Sequence, residues 1–157
     1  KRFAVIGNPI EHSLSPRIHH AFAEQCGINL QYDKVCVETE EGIFEAFVRD
    51  FFMQGGAGLN ITLPFKQRAF QLADQLTEQA RLAGAVNTLI PVSSTEILGD
   101  NTDGVGLVQD LIENQKQLLA GKSILILGSG GATKGILPAL LAQNPQMITI
   151  ASRNPET

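Results

Sequence analysis

A lysine and an aspartate are the residues of this chain best suited to moving a proton. Lys66 closes the segment Asn60-Ile61-Thr62-Leu63-Pro64-Phe65-Lys66. Pro64 is a natural first helical residue, which puts Lys66 in the first helical turn. A cation there opposes the helix dipole, and Arg68 adds a second one nearby. A local violation of this kind with no packing benefit is what a functional site produces. Asp103 lies in Gly99-Asp100-Asn101-Thr102-Asp103-Gly104, at a strand-to-helix junction where it or Thr102 also suits a plain helix N-cap. Gly84-Ala85-Val86-Asn87-Thr88 adds an amide where a strand begins. In His12-Ser13-Leu14-Ser15-Pro16 two hydroxyls stand at a helix entrance, Ser15 as the N-cap and Ser13 as a loop residue. His12, His19 and His20 lack metal-ligand spacing and read as surface or loop histidines, so no metal site is expected.

A second kind of chemistry belongs to Gly128-Ser129-Gly130-Gly131-Ala132, which follows the strand run Ile124-Leu125-Ile126-Leu127 and opens a helix. Gly128 permits a tight turn, Gly130 lets the backbone approach a pyrophosphate, and the helix N-terminus offers N–H groups to the anion. Thr133 fills the third glycine position of the dinucleotide-binding pattern. The next strand ends in Ala151-Ser152-Arg153-Asn154, with a cation where an NAD-binding chain places a carboxylate. Arg153 can pair bidentately with a 2′-phosphate, which favours NADP over NAD.

The elements that must position these residues alternate between apolar runs and helical patterns, which predicts βαβ units and an α/β class. Strands are predicted at 3–6, 32–37, 57–61, 86–91, 96–99, 123–127 and 147–151. Helices are predicted from Ser15 to Gly27, over the Ile43–Phe52 stripe, at 65–73, 78–82 and 104–115, and after the glycine loop with Pro138 inside. Ile43, Phe44, Phe47, Val48, Phe51 and Phe52 make a core-facing stripe. Ala120-Gly121-Lys122 is a hinge-like break.

Composition excludes several functions. With 157 residues, 43% apolar and 18% charged, the chain buries a core and is not disordered. No apolar run reaches the roughly 20 residues that span a bilayer, and no signal segment opens the sequence. Two cysteines, Cys26 and Cys36, suit neither a disulfide framework nor a metal cluster and read as reduced core residues of a cytoplasmic protein. A net charge of -4 argues against a nucleic-acid surface.

Taken in order, these segments, together with Gly7-Asn8-Pro9-Ile10 ahead of the serine pair, resemble the shikimate dehydrogenase family over the whole chain. The resemblance implies an α/β fold: an N-terminal substrate domain with a mixed, mainly parallel sheet, followed by the first βαβ unit of a Rossmann cofactor domain. The corresponding division is 1–101, a connecting helix and hinge at 102–122, and 123–157. It further implies an NADP-dependent oxidoreductase interconverting shikimate and 3-dehydroshikimate in aromatic amino-acid biosynthesis. Ser13 and Ser15 match the hydroxyls that hold the substrate carboxylate; Asn60, Thr62, Asn87 and Asp103 match groups around the ring hydroxyls. Lys66 and Asp103 match the catalytic pair. Gly128, Ser129, Gly130, Gly131 and Ala132 match the pyrophosphate loop, with Ser152 and Arg153 at the end of the second strand; Ser129 stands where alanine is more usual. No nucleic-acid or membrane partner is implied, and a homodimer is left open.

Three alternatives stay beside this reading: a quinate/shikimate dehydrogenase using NAD or NADP, a non-catalytic shikimate-binding or regulatory module, and a generic Rossmann reductase acting on another substrate, which explains the glycine loop but not the polar segments before it. A lone βαβ unit has too few strands to cover its own apolar faces. The expectation is therefore a piece of a longer enzyme.

Overall fold

The computed structural model describes residues 1–153; Asn154 and the rest of 154–157, which end the expected cofactor unit, lie outside the described residues. The first strand, β1 (Arg2–Gly7), is the apolar run near the N-terminus. It is flanked on both edges, by β2 (Gln31–Cys36) and β3 (Gly56–Ile61), and both pairings are parallel. Residues 4–7 are all buried, as a strand covered on both faces requires. Between these strands run α1 (Ser15–Cys26), closed by Gly27, and α2 (Ile43–Met53). The α2 stripe faces inward as predicted: Phe44, Val48 and Phe51 are buried.

After β3 come α3 (Lys66–Leu72), β4 (Gln75–Leu76), α4 (Glu78–Ala83), β5 (Thr88–Pro91) and β6 (Ile97–Asp100). The six strands form one sheet in the order β2-β1-β3-β5-β6-β4. Three pairings are parallel and two antiparallel, because β5 runs against both β3 and β6. The two-residue β4 was not legible in the sequence; it is too short to carry a periodicity. The core is continuous from α2 across the sheet to α3, with the Phe44 and Phe65 rings stacked at 4.8 Å.

The chain then leaves the sheet through α5 (Asp103–Gln109), whose last turn widens to π geometry over Asp110–Asn114 instead of continuing as α-helix to residue 115. A second sheet follows: β7 (Ser123–Leu127), α6 (Gly131–Leu141) and β8 (Met147–Ala151), a parallel βαβ unit. One face of this sheet is open, with Leu127 80% exposed and Leu125 63% exposed, while Ile124, Ile126 and Ile148 on the other face are half-buried.

Three local expectations are corrected. Cys26 and Cys36 are exposed, not core residues. Cys26 ends an α1 stripe, Ile18 and Phe22 included, that faces outward, and Cys36 lies on the edge strand β2. Ser15 is the first residue of α1 and not its cap; its amide instead donates to the Ser13 hydroxyl. Pro64 precedes α3, after a cis Leu63–Pro64 bond, so Lys66 itself begins the helix.

Candidate functional site

One edge of the large sheet gathers nearly all of the polar residues singled out above. It is the carboxyl edge of β1, β3 and β6, and, because β5 is antiparallel, the amino edge of β5. The register makes this explicit: Asn60 faces Thr88, and Thr88 faces Asp100. The loops beyond that edge are knitted by backbone bonds, from Asn8 N to Leu63 O, Thr62 N to Ile6 O, Val86 N to Lys66 O and Asn87 N to Asp100 O. Carboxyl edges of strands in open α/β sheets are where ligands bind, since the loops there converge and the backbone has room.

At the centre, Lys66 Nζ donates to Asp103 Oδ2 at 2.5 Å, and Asn87 Nδ2 donates to Asp103 Oδ1 at 2.8 Å. Each carboxylate oxygen therefore has its own donor. Lys66 and Asp103 are 14% and 25% exposed: open enough to meet a small molecule, enclosed enough to strengthen the pair. Asp103 is not an N-cap but the first residue of α5, and Thr102 makes no side-chain cap. The capping work falls to Asn101, almost fully buried, whose Oδ1 accepts the Asp103 amide while its Nδ2 donates to Ala85 O. That frees the Asp103 carboxylate to turn towards Lys66.

From Asp103 the polar groups continue without interruption across the sheet edge. Asn87 Oδ1 accepts the Thr88 hydroxyl at 2.9 Å and the Thr102 amide at 3.1 Å. Thr88 Oγ1 accepts Asn60 Nδ2 at 3.3 Å, and Asn60 Oδ1 accepts the Tyr32 hydroxyl at 2.6 Å. The Ser15 side chain stands next to that phenol, whose pKa burial pushes up to about 12 against the opposing pull of the Ser15 hydrogen bond. Ser13 and Ser15 hydroxyls meet at 3.2 Å. Thr62, half-buried one residue beyond β3, packs its methyl beside Gly7.

Sequence reasoning passed over Tyr32, Thr88, Asn101 and His19. Tyr32 reads as one more apolar residue in an alternating strand, and Thr88 as the end of the Asn87 segment. His19 is not a surface histidine: it is half-buried, its ring stacks on Tyr32 at 4.2 Å, and Nδ1 lies 2.9 Å from Ser15 O. Arg68, in contrast, leaves the site. It forks onto Glu45, donates to Thr39 O and Glu40 O, and lies over the Phe44 and Phe65 rings. Its guanidinium holds the Glu45 carboxyl below its ordinary value of 4.5. Among the described residues, no group of three or more His, Cys, Asp or Glu could hold a metal. No described helix is long and apolar enough to cross a membrane.

The glycine loop forms a separate hollow of about 530 Å³, lined by Leu127, Gly128, Ser129, Gly130, Ala151, Ser152 and Arg153. Gly128 has φ +108°, a conformation closed to ordinary side chains. A Cβ added at Gly128, Gly130 or Gly131 meets nothing within 4 Å, so the loop presents bare backbone to open space. Ala132 follows, exposed, in the first turn of α6. Ser129 and Ser152 hydroxyls meet at 2.8 Å, and Thr133 Oγ1 donates to Gly128 O at 2.7 Å, bracing the loop from behind. Thr133, at the third glycine position of the pattern, is buried. Arg153 is exposed at the rim of the hollow. Backbone amides at a helix start, a cation beside them and no side chain in the way suit a phosphorylated dinucleotide.

The two sites are joined by helix packing: a Cβ on Gly135 of α6 would stand 3.0 Å from Asp103 Oδ2, and one on Gly104 of α5 2.8 Å from Gly135 O. The fold is thus a mixed α/β sheet with a lysine–aspartate pair at its carboxyl edge, followed by a βαβ unit with a glycine loop. Residues 5–89 match the model of the shikimate dehydrogenase substrate binding domain, more than half of the chain, and the chain belongs to the shikimate dehydrogenase family.

It is 54% identical over 152 residues to a shikimate dehydrogenase (NADP(+)) of Vibrio cholerae, covering 97% of this chain and 54% of that protein. The fold superposes on an Ael1 enzyme from Pseudomonas putida with a TM-score of 0.89 at 43% identity, over 98% of this chain and 56% of the other. It also superposes on a Thermus thermophilus shikimate 5-dehydrogenase solved with NADP(H) and shikimate, with a TM-score of 0.87 at 32% identity, over 99% and 57%. The chain thus spans about half the length of the relatives it matches.

Proposed function

We propose that the protein carrying this chain is an NADP-dependent oxidoreductase that reversibly reduces 3-dehydroshikimate to shikimate in aromatic amino-acid biosynthesis, in the cytoplasm. The observation that carries the reading is the Lys66–Asp103 pair, with Asn87 occupying the second carboxylate oxygen. Residues 1–101 are the substrate domain, 102–122 the connecting helix and hinge, and the residues from 123 the start of a Rossmann cofactor domain. NADPH, when bound, supplies the hydride.

The rest of the chemistry falls to side chains of this chain. Reduction of a ring ketone adds the hydride to carbon and one proton to oxygen. Lys66 Nζ gives that proton in reduction and takes it back in oxidation, which is general acid–base catalysis. Asp103 holds the ammonium in place and Asn87 holds Asp103, so the donor is aimed before the substrate arrives. The hydroxyls of Ser13 and Ser15 receive the substrate carboxylate, and Asn60, Thr62, Asn87 and Asp103 the ring hydroxyls. Gly128, Ser129, Gly130, Gly131 and Ala132 hold the pyrophosphate on backbone amides, with Arg153 and Ser152 on the ribose phosphate. A chain with more acidic than basic residues draws its anionic ligands through these local groups and not through its net charge.

The deciding measurement is shikimate-dependent NADPH formation by the full-length protein, with quinate and NAD run alongside. Strong turnover with shikimate and NADP is expected. Equal turnover with quinate or NAD replaces the reading by the broader dehydrogenase, and shikimate binding without turnover replaces it by a binding module.

A further inference from the structure

We propose that Tyr32 and Thr88 are positioning residues of this site, each fixing which way round a neighbouring asparagine amide is held; this rests on the functional reading above. The two ends of an asparagine amide have nearly the same shape and opposite chemistry, one accepting and one donating. Asn87 serves the site only with Nδ2 towards Asp103, for a reversed amide would set its carbonyl oxygen against the carboxylate. What holds it is the pair of donors on Asn87 Oδ1, the Thr88 hydroxyl and the Thr102 amide, with Thr102 Oγ1 accepting from Nδ2 on the other side.

Thr88 has a single hydroxyl proton. It can spend it on Asn87 because its oxygen already accepts from Asn60 Nδ2. Asn60 in turn presents Nδ2 to Thr88 because its own Oδ1 is taken by the Tyr32 phenol. The donors therefore all point one way: Tyr32 to Asn60, Asn60 to Thr88, Thr88 to Asn87, Asn87 to Asp103. The line ends on the carboxylate that holds Lys66.

Tyr32 is suited to start it. The residue is 4% exposed, its ring is clamped by the stacked His19, and the phenol keeps its proton at any working pH because burial raises its pKa to about 12. A phenol held on Asn60 Oδ1 as a donor gives the line its direction. Tyr32 acts at the substrate-binding end, next to Asn60 and Ser15, and Thr88 at the catalytic end, one bond from the Asn87–Asp103 contact.

Those positions separate their kinetic effects. In the full-length protein, Thr88→Val removes the hydroxyl at nearly constant shape and is expected to lower kcat about tenfold, the effect of one misdirected hydrogen bond. Thr88→Ser, which keeps the hydroxyl, restores kcat. Tyr32→Phe is expected to raise the KM for shikimate about tenfold on the same basis, with kcat nearly kept. Wild-type kcat and KM in both Thr88→Val and Tyr32→Phe overturn the proposal. So does a Thr88→Ser protein as impaired as Thr88→Val, which marks a packing role only. If Thr88→Val does not fold, Tyr32→Phe decides by its KM-to-kcat split. A wild type without turnover defeats the functional reading alone. The line is then read from hydrogen exchange of the Asn60 and Asn87 side-chain amides, faster in both variants if it exists and unchanged if it does not.

Discussion

On the proposed function, the polar sheet edge and the glycine loop solve the same problem, holding an anionic ligand, with opposite materials. At the substrate edge the recognising groups are side chains, brought from positions 28 and 37 residues apart and bonded to one another. At the loop they are backbone amides within a few residues, open to solvent, with Thr133 bracing from behind. The first arrangement is rigid and intolerant, since each group is oriented by the next. The second is modular: strand, turn and helix start suffice, and it projects from a two-stranded sheet with one face uncovered. Side-chain sites gain precision from long-range contacts and inherit their fragility; backbone sites gain independence and leave specificity to a residue at the rim.

The sharpest test of that contrast is at Lys66. Lys66→Ala in the full-length protein should lower kcat by about 10³-fold, within the range of general acid–base catalysis, with a smaller change in KM. Near-normal turnover would remove Lys66 from the chemistry. Next in size is the seam between the regions. Gly135→Ala places a methyl 3.0 Å from Asp103 Oδ2, and Gly104→Ala places one 2.8 Å from Gly135 O. Overpacking there costs about 1–3 kcal/mol. Denaturant unfolding should register both losses, with kcat falling further in Gly135→Ala because its methyl meets the carboxylate itself.

The loop should respond more gently. Arg153→Ser is expected to raise the KM for NADP about tenfold and leave that for NAD nearly unchanged, the discrimination of one charged hydrogen-bonding contact. An equal effect on both cofactors would take Arg153 off the ribose phosphate.

The smallest effect is at the cation that left the site. Arg68 lowers the Glu45 pKa, so the folded state binds protons there less readily than the unfolded chain. That stabilisation is present above about 4.5 and is lost as pH falls through the lower folded value. Thermal melts of wild type and Glu45→Gln should therefore differ at neutral pH by the fraction of a kcal/mol expected of a solvent-screened pair, and converge in acid, with kcat equal throughout.

Much of this was legible in the sequence where the signal is local. The α2 stripe, the Gly27 stop and the strand-loop-helix at Gly128 each lie within one stretch of chain, and their residues carry the periodicity or the backbone freedom that the element needs. Legibility failed where neighbours decide. The α1 stripe of Ile18, Phe22 and Cys26 has helical spacing and still faces outward, because periodicity says which residues share a face and not what that face meets. Arg68 and Lys66 look alike as two cations two residues apart; α3 turns one onto Glu45 and the other onto Asp103.

By itself the sequence determined most of the element types, the polar segments and the glycine loop, because helix and strand periods and glycine backbones are properties of consecutive residues. The tertiary structure alone decided that Asp103 does not cap its helix, that Asn101 takes that place, and that Tyr32 and Thr88 join the line. Those outcomes depend on the antiparallel turn of β5, which sets Thr88 between Asn60 and Asp100. A hydrogen bond exists only where folding brings donor and acceptor within about 3 Å.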